Sequence, residues 1–190
     1  MSSYQIFKNL KTFPIIQPLA LNCGLKILIL LIFLPLQNAK SQELLAHFHD
    51  WSLFRSQKNN QKICYIASTP IKQDGNYLKR GEPYFFVTEV KNDIDEISLS
   101  AGFIFKDSSN VELSFGGKKF YLFAFKTIAW AQNKNDDIEI IKEMQKNADM
   151  IITSIANDGK IAIDTYSLIG FVESYNKLKQ ICNFNENNKI

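Results

Sequence analysis

The sequence predicts a mainly β protein: a sandwich-like antiparallel domain with two short helices, one of them C-terminal. Three observations carry this. Seven or eight short apolar or alternating runs are separated by turn-forming residues, the pattern of a sandwich or barrel. Aromatics make up 13% of the 190 residues, with 15 Phe, 7 Tyr and 2 Trp, which favours strands around a large apolar core. Only two segments carry a helical period. The remaining composition, 46% hydrophobic and 22% charged with 8 Gly and 5 Pro, excludes a multi-span membrane protein, a charge-rich disordered tail and a low-complexity chain.

Residues 1–41 contain Lys8, Lys11, Lys26 and Lys40 and no acid. The apolar run Ile27 to Leu34 is too short for a membrane-spanning helix, which needs about 20 residues, and suits the core of a secretory signal. Ala39 and Ser41 stand at the −3 and −1 positions of a cleavage before Gln42, and cleavage after Ala39 is nearly as good. A cleaved signal over 1–41 is the expectation, and an uncleaved single-pass anchor is the alternative. The basic leader is long. A start at Leu25, read from a non-Met codon, would make residues 25–41 an ordinary signal. Cys23 precedes the apolar run and follows Asn22, so it does not read as a lipoprotein cysteine.

Residues 42–190 form the expected single β-rich domain, the size of one domain with its own core. They carry 18 basic and 19 acidic side chains, so the overall charge of +3 belongs to the leader. Without a long basic run, nucleic acid is not an expected partner.

The elements follow in chain order. His47 and His49 begin a first strand before Trp51. Ile63 to Ala67 and Tyr84 to Val90 read as strands. Ile97, Leu99, Ala101, Phe103 and Phe105 share one face of the next. Asp107 to Asn110 reads as a hairpin turn leading into Val111, Leu113 and Phe115. Gly116-Gly117-Lys118-Lys119 reads as a second turn. Phe120 to Phe125, apolar at every position, predicts a central strand buried on both faces. Asp136 to Asn147 reads as a helix, with Asp136 and Glu139 at capping-box spacing. Ile151 to Ala156 and Lys160 to Thr165 flank the tight turn Asn157-Asp158-Gly159. Leu168, Phe171, Tyr175, Leu178 and Cys182 fall at spacings of 3, 4, 3 and 4, one face of a last helix with Ser167 as N-cap.

Two cysteines remain after the signal. Export makes a Cys64–Cys182 disulfide the expected arrangement, tying the first strands to the last helix. Two buried thiols acting as small hydrophobes are the alternative. Neither a C-x-x-C redox motif nor a zinc cluster occurs.

Catalytic chemistry finds little support. His47 and His49 are the only histidines, an H-x-H pair with no third ligand. The Gly-Gly-Lys-Lys turn lacks the phosphate-loop frame. No G-x-S-x-G occurs. Asp93, Asp95 and Glu96 lie in a turn-like run expected to be solvated, and Asp136 and Asp137 fit a helix start. No enzyme activity, metal or cofactor is expected. Three residues stand out as weak binding candidates. Asp164 precedes the last helix, where it would either satisfy backbone donors at the corner or contact a ligand. Tyr166 follows it. Arg80 lies in the basic loop Lys79-Arg80-Gly81, either a solvated turn or part of a partner surface.

The ordered features Trp51, Cys64-Tyr65-Ile66-Ala67-Ser68, Pro70, Lys79-Arg80-Gly81 with Pro83-Tyr84, Ala129-Trp130, Asp164-Thr165-Tyr166-Ser167-Leu168, Gly170-Phe171 and Cys182 resemble the invasion-associated locus B family of bacterial exported proteins. The resemblance covers residues 46–182. It implies a compact β-rich domain exported past the inner membrane, with no agreed catalytic activity and a role in host-cell invasion for some members. The expected function is then an exported, non-catalytic envelope or secreted protein, periplasmic or released. It would bind an envelope or host protein and touch membrane only through the leader or peripherally. A periplasmic carrier with an aromatic-lined pocket for a small apolar ligand is the alternative.

Overall fold

The computed structural model describes residues 42–58, 61–90 and 94–182. The expectations for the leader and Cys23, for Asp93 and for the side chain of Cys182 lie outside the described residues. The described chain forms β1 (Glu43–Phe48), β2 (Trp51–Lys58), β3 (Gln61–Ser68), β4 (Lys72–Gly75), β5 (Tyr84–Val90), β6 (Ile94–Ser100), β7 (Asn110–Phe115), β8 (Lys118–Phe125), β9 (Ile128–Ala131), α1 (Lys134–Met144), β10 (Asp149–Ile155), β11 (Ile161–Ser167) and α2 (Phe171–Cys182).

The strands make one antiparallel sheet in the order β1-β2-β3-β5-β6-β9-β8-β7-β10-β11-β4. Strand twist accumulates over so many neighbours, and such a sheet curls. Here it folds back on itself. The Trp51 indole N–H of β2 donates to the Ser167 carbonyl of β11 at 3.0 Å, joining strands eight places apart in the order. The Asp50 N–H donates to the Ile169 carbonyl at 3.3 Å beside it. The inner faces then enclose one core, with Trp51, Leu53, Ile66, Phe85, Leu99 and Leu113 fully buried. Helix α1 packs on β6 and β9, and α2 packs on β1, β2, β3 and β5.

The mainly antiparallel, sandwich-like class with a C-terminal helix is therefore what the chain adopts. The tight turn at Asn157-Asp158-Gly159 joins β10 to β11, with Gly159 at φ 83°. The glycine pair at 116 and 117 turns β7 into β8.

Several expectations need correction. The run expected to continue to Phe105 leaves the sheet after Ser100. Gly102 has φ 77° and accepts the Gly81 N–H at 2.8 Å; a side chain on Gly102 would collide with the Gly81 carbonyl. Phe105 then makes an isolated bridge to Ala156, and its N–H donates to the Lys126 carbonyl at 2.7 Å. Asp107 to Asn110 does turn, with Ser109 N–H donating to Lys106 O at 3.2 Å, but it joins no hairpin. Strand β7 pairs with β8 and β10, and β6 with β5 and β9. The second correction is β8. Leu122 is buried, but Tyr121, Phe123 and Phe125 are 47%, 46% and 64% exposed, so only one face is covered.

The third concerns the helix starts. Asn133, not Asp136, caps α1, its side chain accepting from the Asn135 and Asp136 N–H groups at 3.0 and 3.1 Å. Helix α2 begins at Phe171, because Gly170 at φ 87° interrupts the helical path after Ser167. Ser167 instead accepts from the Ile169 N–H at 3.2 Å. Asp95, expected in a solvated run, is buried. It accepts from the Tyr175 hydroxyl at 2.6 Å and from the Lys179 ammonium at 3.2 Å, fastening α2 to β6.

Candidate functional site

The residues singled out from the sequence do come together, but they point inward. Asp164 lies on β11, opposite Gln73 of β4. Arg80 reaches it from the loop between β4 and β5. Nη1 of Arg80 donates to Asp164 Oδ2 at 2.8 Å and to the Ala101 carbonyl at 3.1 Å; Nη2 donates to Asp164 Oδ1 and, at 2.8 Å, to Gln73 Oε1. The Tyr77 ring stacks on the guanidinium, 4.4 Å from Cζ to ring centroid. The two charged side chains are only 3% and 1% exposed.

Burial alone would lower the Arg80 pKa. The hydrogen bond and charge of Asp164, with Tyr77 adding to them, outweigh it and hold the guanidinium above its ordinary value. Tyr166 sits two residues along the same face of β11, fully buried against Phe85. Burial, then the charge of Asp164, pushes its hydroxyl well above the usual range, with Arg80 opposing. The arrangement is a bidentate cross-brace between β11, the β4–β5 loop and the end of β6. Of the basic loop that the sequence left as a solvated turn or a partner surface, the Arg80 side chain is buried in the brace, while Leu78, Lys79 and Gly81 stay exposed.

The histidines are placed differently. His47 Nδ1 lies 2.8 Å from Ser52 Oγ, and His47, His49 and Tyr84 line a shallow cleft of about 270 Å³. No group of three or more His, Cys, Asp or Glu that could hold a metal ion occurs among the described residues.

The larger cleft, about 420 Å³, lies on the outer face of the sheet. Phe123 and Phe125 of β8 and Trp130 of β9 form its apolar wall, and Glu96, Lys134 and Asp137 stand around it. The Phe123 and Trp130 rings stack at 5.5 Å with 25° between planes. More aromatics continue across the same face: Phe54 stacks on Tyr65 at 5.3 Å, and Tyr65 meets Phe86 edge-on at 5.9 Å.

Asp137 joins α1 to the sheet. Its Oδ1 accepts the buried Ile97 N–H at 2.8 Å. Burial raises its carboxyl to about 6; the Ile97 bond opposes, and the nearby charges of Glu96, Asp136 and Asp95 add to the rise. The folded protein thus favours the protonated form more than the unfolded chain does. Both states are protonated below pH 3.8, and stability is lost as pH rises from there through about 6. Because cleft water screens the group, the full penalty above pH 6 is on the order of 1–2 kcal/mol. Asp137→Asn keeps the acceptor for Ile97 and removes the charge. It is expected to be the more stable protein at pH 7 by that amount and to match the parent at pH 4. Urea denaturation at both values tests this; a variant weaker at pH 7 would reverse the assignment.

Sequence reading missed this cleft because it assigned Phe120 to Phe125 to two buried faces. The signal was present in parity: Tyr121, whose hydroxyl prefers water when no partner is built in, shares a face with Phe123 and Phe125.

Comparison with known proteins adds the following. A family model described as Invasion associated locus B (IalB) protein matches residues 51–179. Among solved structures, the chain is similar to the crystal structure of invasion associated protein b from Bartonella henselae. The TM-score is 0.54 and the identity 14%, covering 74% of this chain and 97% of that one. No curated protein matches.

Proposed function

The chain belongs to the invasion associated locus B family, and on that premise we propose that it is an exported, non-catalytic envelope or secreted protein that binds a protein partner and contributes to host-cell invasion. The observation that carries the binding half is the outer sheet face. Exposed apolar side chains gathered in one patch mark contact surfaces more often than scattered ones do. Here Tyr121, Phe123 and Phe125 lie beside the stacked Trp130. The cross-brace of Arg80 and Asp164 is used on itself, so in this reading it shapes the domain and the outer face meets the partner. The buried aromatics pack on one another, Trp51 against Phe171 at 5.0 Å and Phe85 at 6.3 Å. That favours a filled core over a carrier's pocket.

Export also underlies the proposed Cys64–Cys182 disulfide. What supports the pairing is that Cys64 is 1% exposed on β3 and that β3 lies under α2, the helix that ends at Cys182.

The test is the intact mass of native protein from fractionated cells, with and without reduction and thiol labelling, followed by crosslinking in the same fraction. A mass equal to residues 42–190, no free thiol and a captured protein partner are expected. A full-length mass in membranes with free thiols would sink the export half. A processed protein that captures nothing, and whose loss leaves envelope and host entry unchanged, would sink the binding half.

A further inference from the structure

The aromatic cleft holds carboxylates that the fold does not use up. Among the described residues Glu96 makes no ion pair or hydrogen bond and Asp137 engages only its Oδ1, on the Ile97 N–H; both residues line the cleft. Trp130 is covered on one side by Phe123. On its other side the sheet register places Ser98 of β6, and beyond Ser98, in the same row, Phe86 of β5. Trp130 and Phe86 of this row stand two strand spacings apart, about 10 Å from backbone to backbone. Glu96 lies two residues from Ser98 on that same outward face.

From this juxtaposition we propose that the cleft receives an arginine side chain of the protein partner, the guanidinium lying against its aromatic wall at Trp130 and pairing with Glu96 and Asp137. The chemistry fits on both counts. A planar, weakly hydrated cation stacks on aromatic faces, and its fork of donors matches carboxylates. The neighbouring ring already takes a cation: the Lys126 ammonium stands 5.3 Å from the centroid of Phe125. Lys134 lines the cleft as well, and the two carboxylates outweigh it. Arginine is favoured over lysine because a planar guanidinium stacks on Trp130 while its fork of donors serves two carboxylates, which a compact ammonium does not match.

This inference rests on the partner-binding reading and names the chemistry of its contact. The test titrates the full processed protein with acetyl-Gly-Arg-Gly-amide and follows the indole N–H resonances of Trp130 and the buried Trp51. The same peptide with lysine, and with neutral citrulline, serves for comparison. The expected result is a saturable shift of Trp130 and not of Trp51, with lysine weaker and citrulline without effect. Glu96→Gln, a surface change, is expected to weaken the arginine peptide about five- to tenfold. Phe54→Ala, on the same face but away from the cleft, is expected to leave it unchanged. Equal responses to arginine and citrulline, or a Glu96→Gln protein that binds as well as the parent, would overturn the assignment. No shift with any peptide while crosslinking still captures a partner would overturn this contact alone. No shift and no captured partner would remove both.

Discussion

Asp164→Ala is expected to destabilise the domain by about 3–5 kcal/mol, because it leaves the Arg80 charge buried without its counter-ion. For a domain of this size that corresponds to a fall in melting temperature on the order of 10 °C. The guanidinium is 3% exposed and cannot shed its proton to escape the cost. It keeps the Ala101 carbonyl and Gln73 as acceptors, which limits the damage without neutralising the charge. Arg80→Ala should cost a similar amount by orphaning the carboxylate. The informative protein is the double variant Arg80→Met with Asp164→Leu. Replacing both ions by apolar groups of like volume is often near neutral, so it should regain most of the lost stability. Urea denaturation of the parent, the two single variants and the double variant closes this cycle. Single variants that lose less than about 1 kcal/mol would mean the pair is solvated and does not brace the sheet.

The brace also shows where sequence reading reaches and where it stops. The aromatic and β-branched run from Tyr84 to Val90 placed β5 with both its bounds, and the Asn-Asp-Gly turn placed β10 beside β11, because both signals are local. That Arg80 would meet Asp164, 84 positions away, has no local signature. A basic residue in a loop carries the same pattern whether it faces water or a buried acid. The partition of β8 failed for a related reason. A run apolar at every position cannot say which face is covered, since that depends on what the rest of the chain lays over it. Helix α2 shows the opposite case: its apolar spacing was legible, with Phe171 and Leu178 fully buried. Its start was not, because Gly170 at φ 87° sets the entry, and there a side chain would strike the Phe48 carbonyl. That is a contact between segments more than 100 residues apart in sequence, and local periodicity contains nothing about it.

Trp51→Ala is expected to be the most damaging single change at the seam where the sheet closes. The side chain is fully buried, edge-on to Phe85 and Phe171, and its N–H satisfies the Ser167 carbonyl at 3.0 Å. Removing the indole leaves a cavity, which for a large aromatic costs about 3–5 kcal/mol. It also strips the Ser167 carbonyl of its donor, adding about 1–3 kcal/mol if that oxygen stays dry. Against a typical total of about 5–15 kcal/mol, the loss brings the domain close to its unfolding limit. Trp51→Phe separates the two contributions: it keeps most of the ring packing against Phe171 and gives up the hydrogen bond, so about 1–3 kcal/mol should be lost. Because Phe171 opens α2 and Ser167 ends β11, the alanine variant should also loosen the C-terminal helix. Limited proteolysis should cut within residues 171–182 in Trp51→Ala well before it does so in Trp51→Phe. Thermal unfolding of the two variants beside the parent decides the matter. Equal losses would assign the closure to the single hydrogen bond, whereas a larger loss for alanine assigns it to the aromatic packing that draws β2, β11 and α2 together.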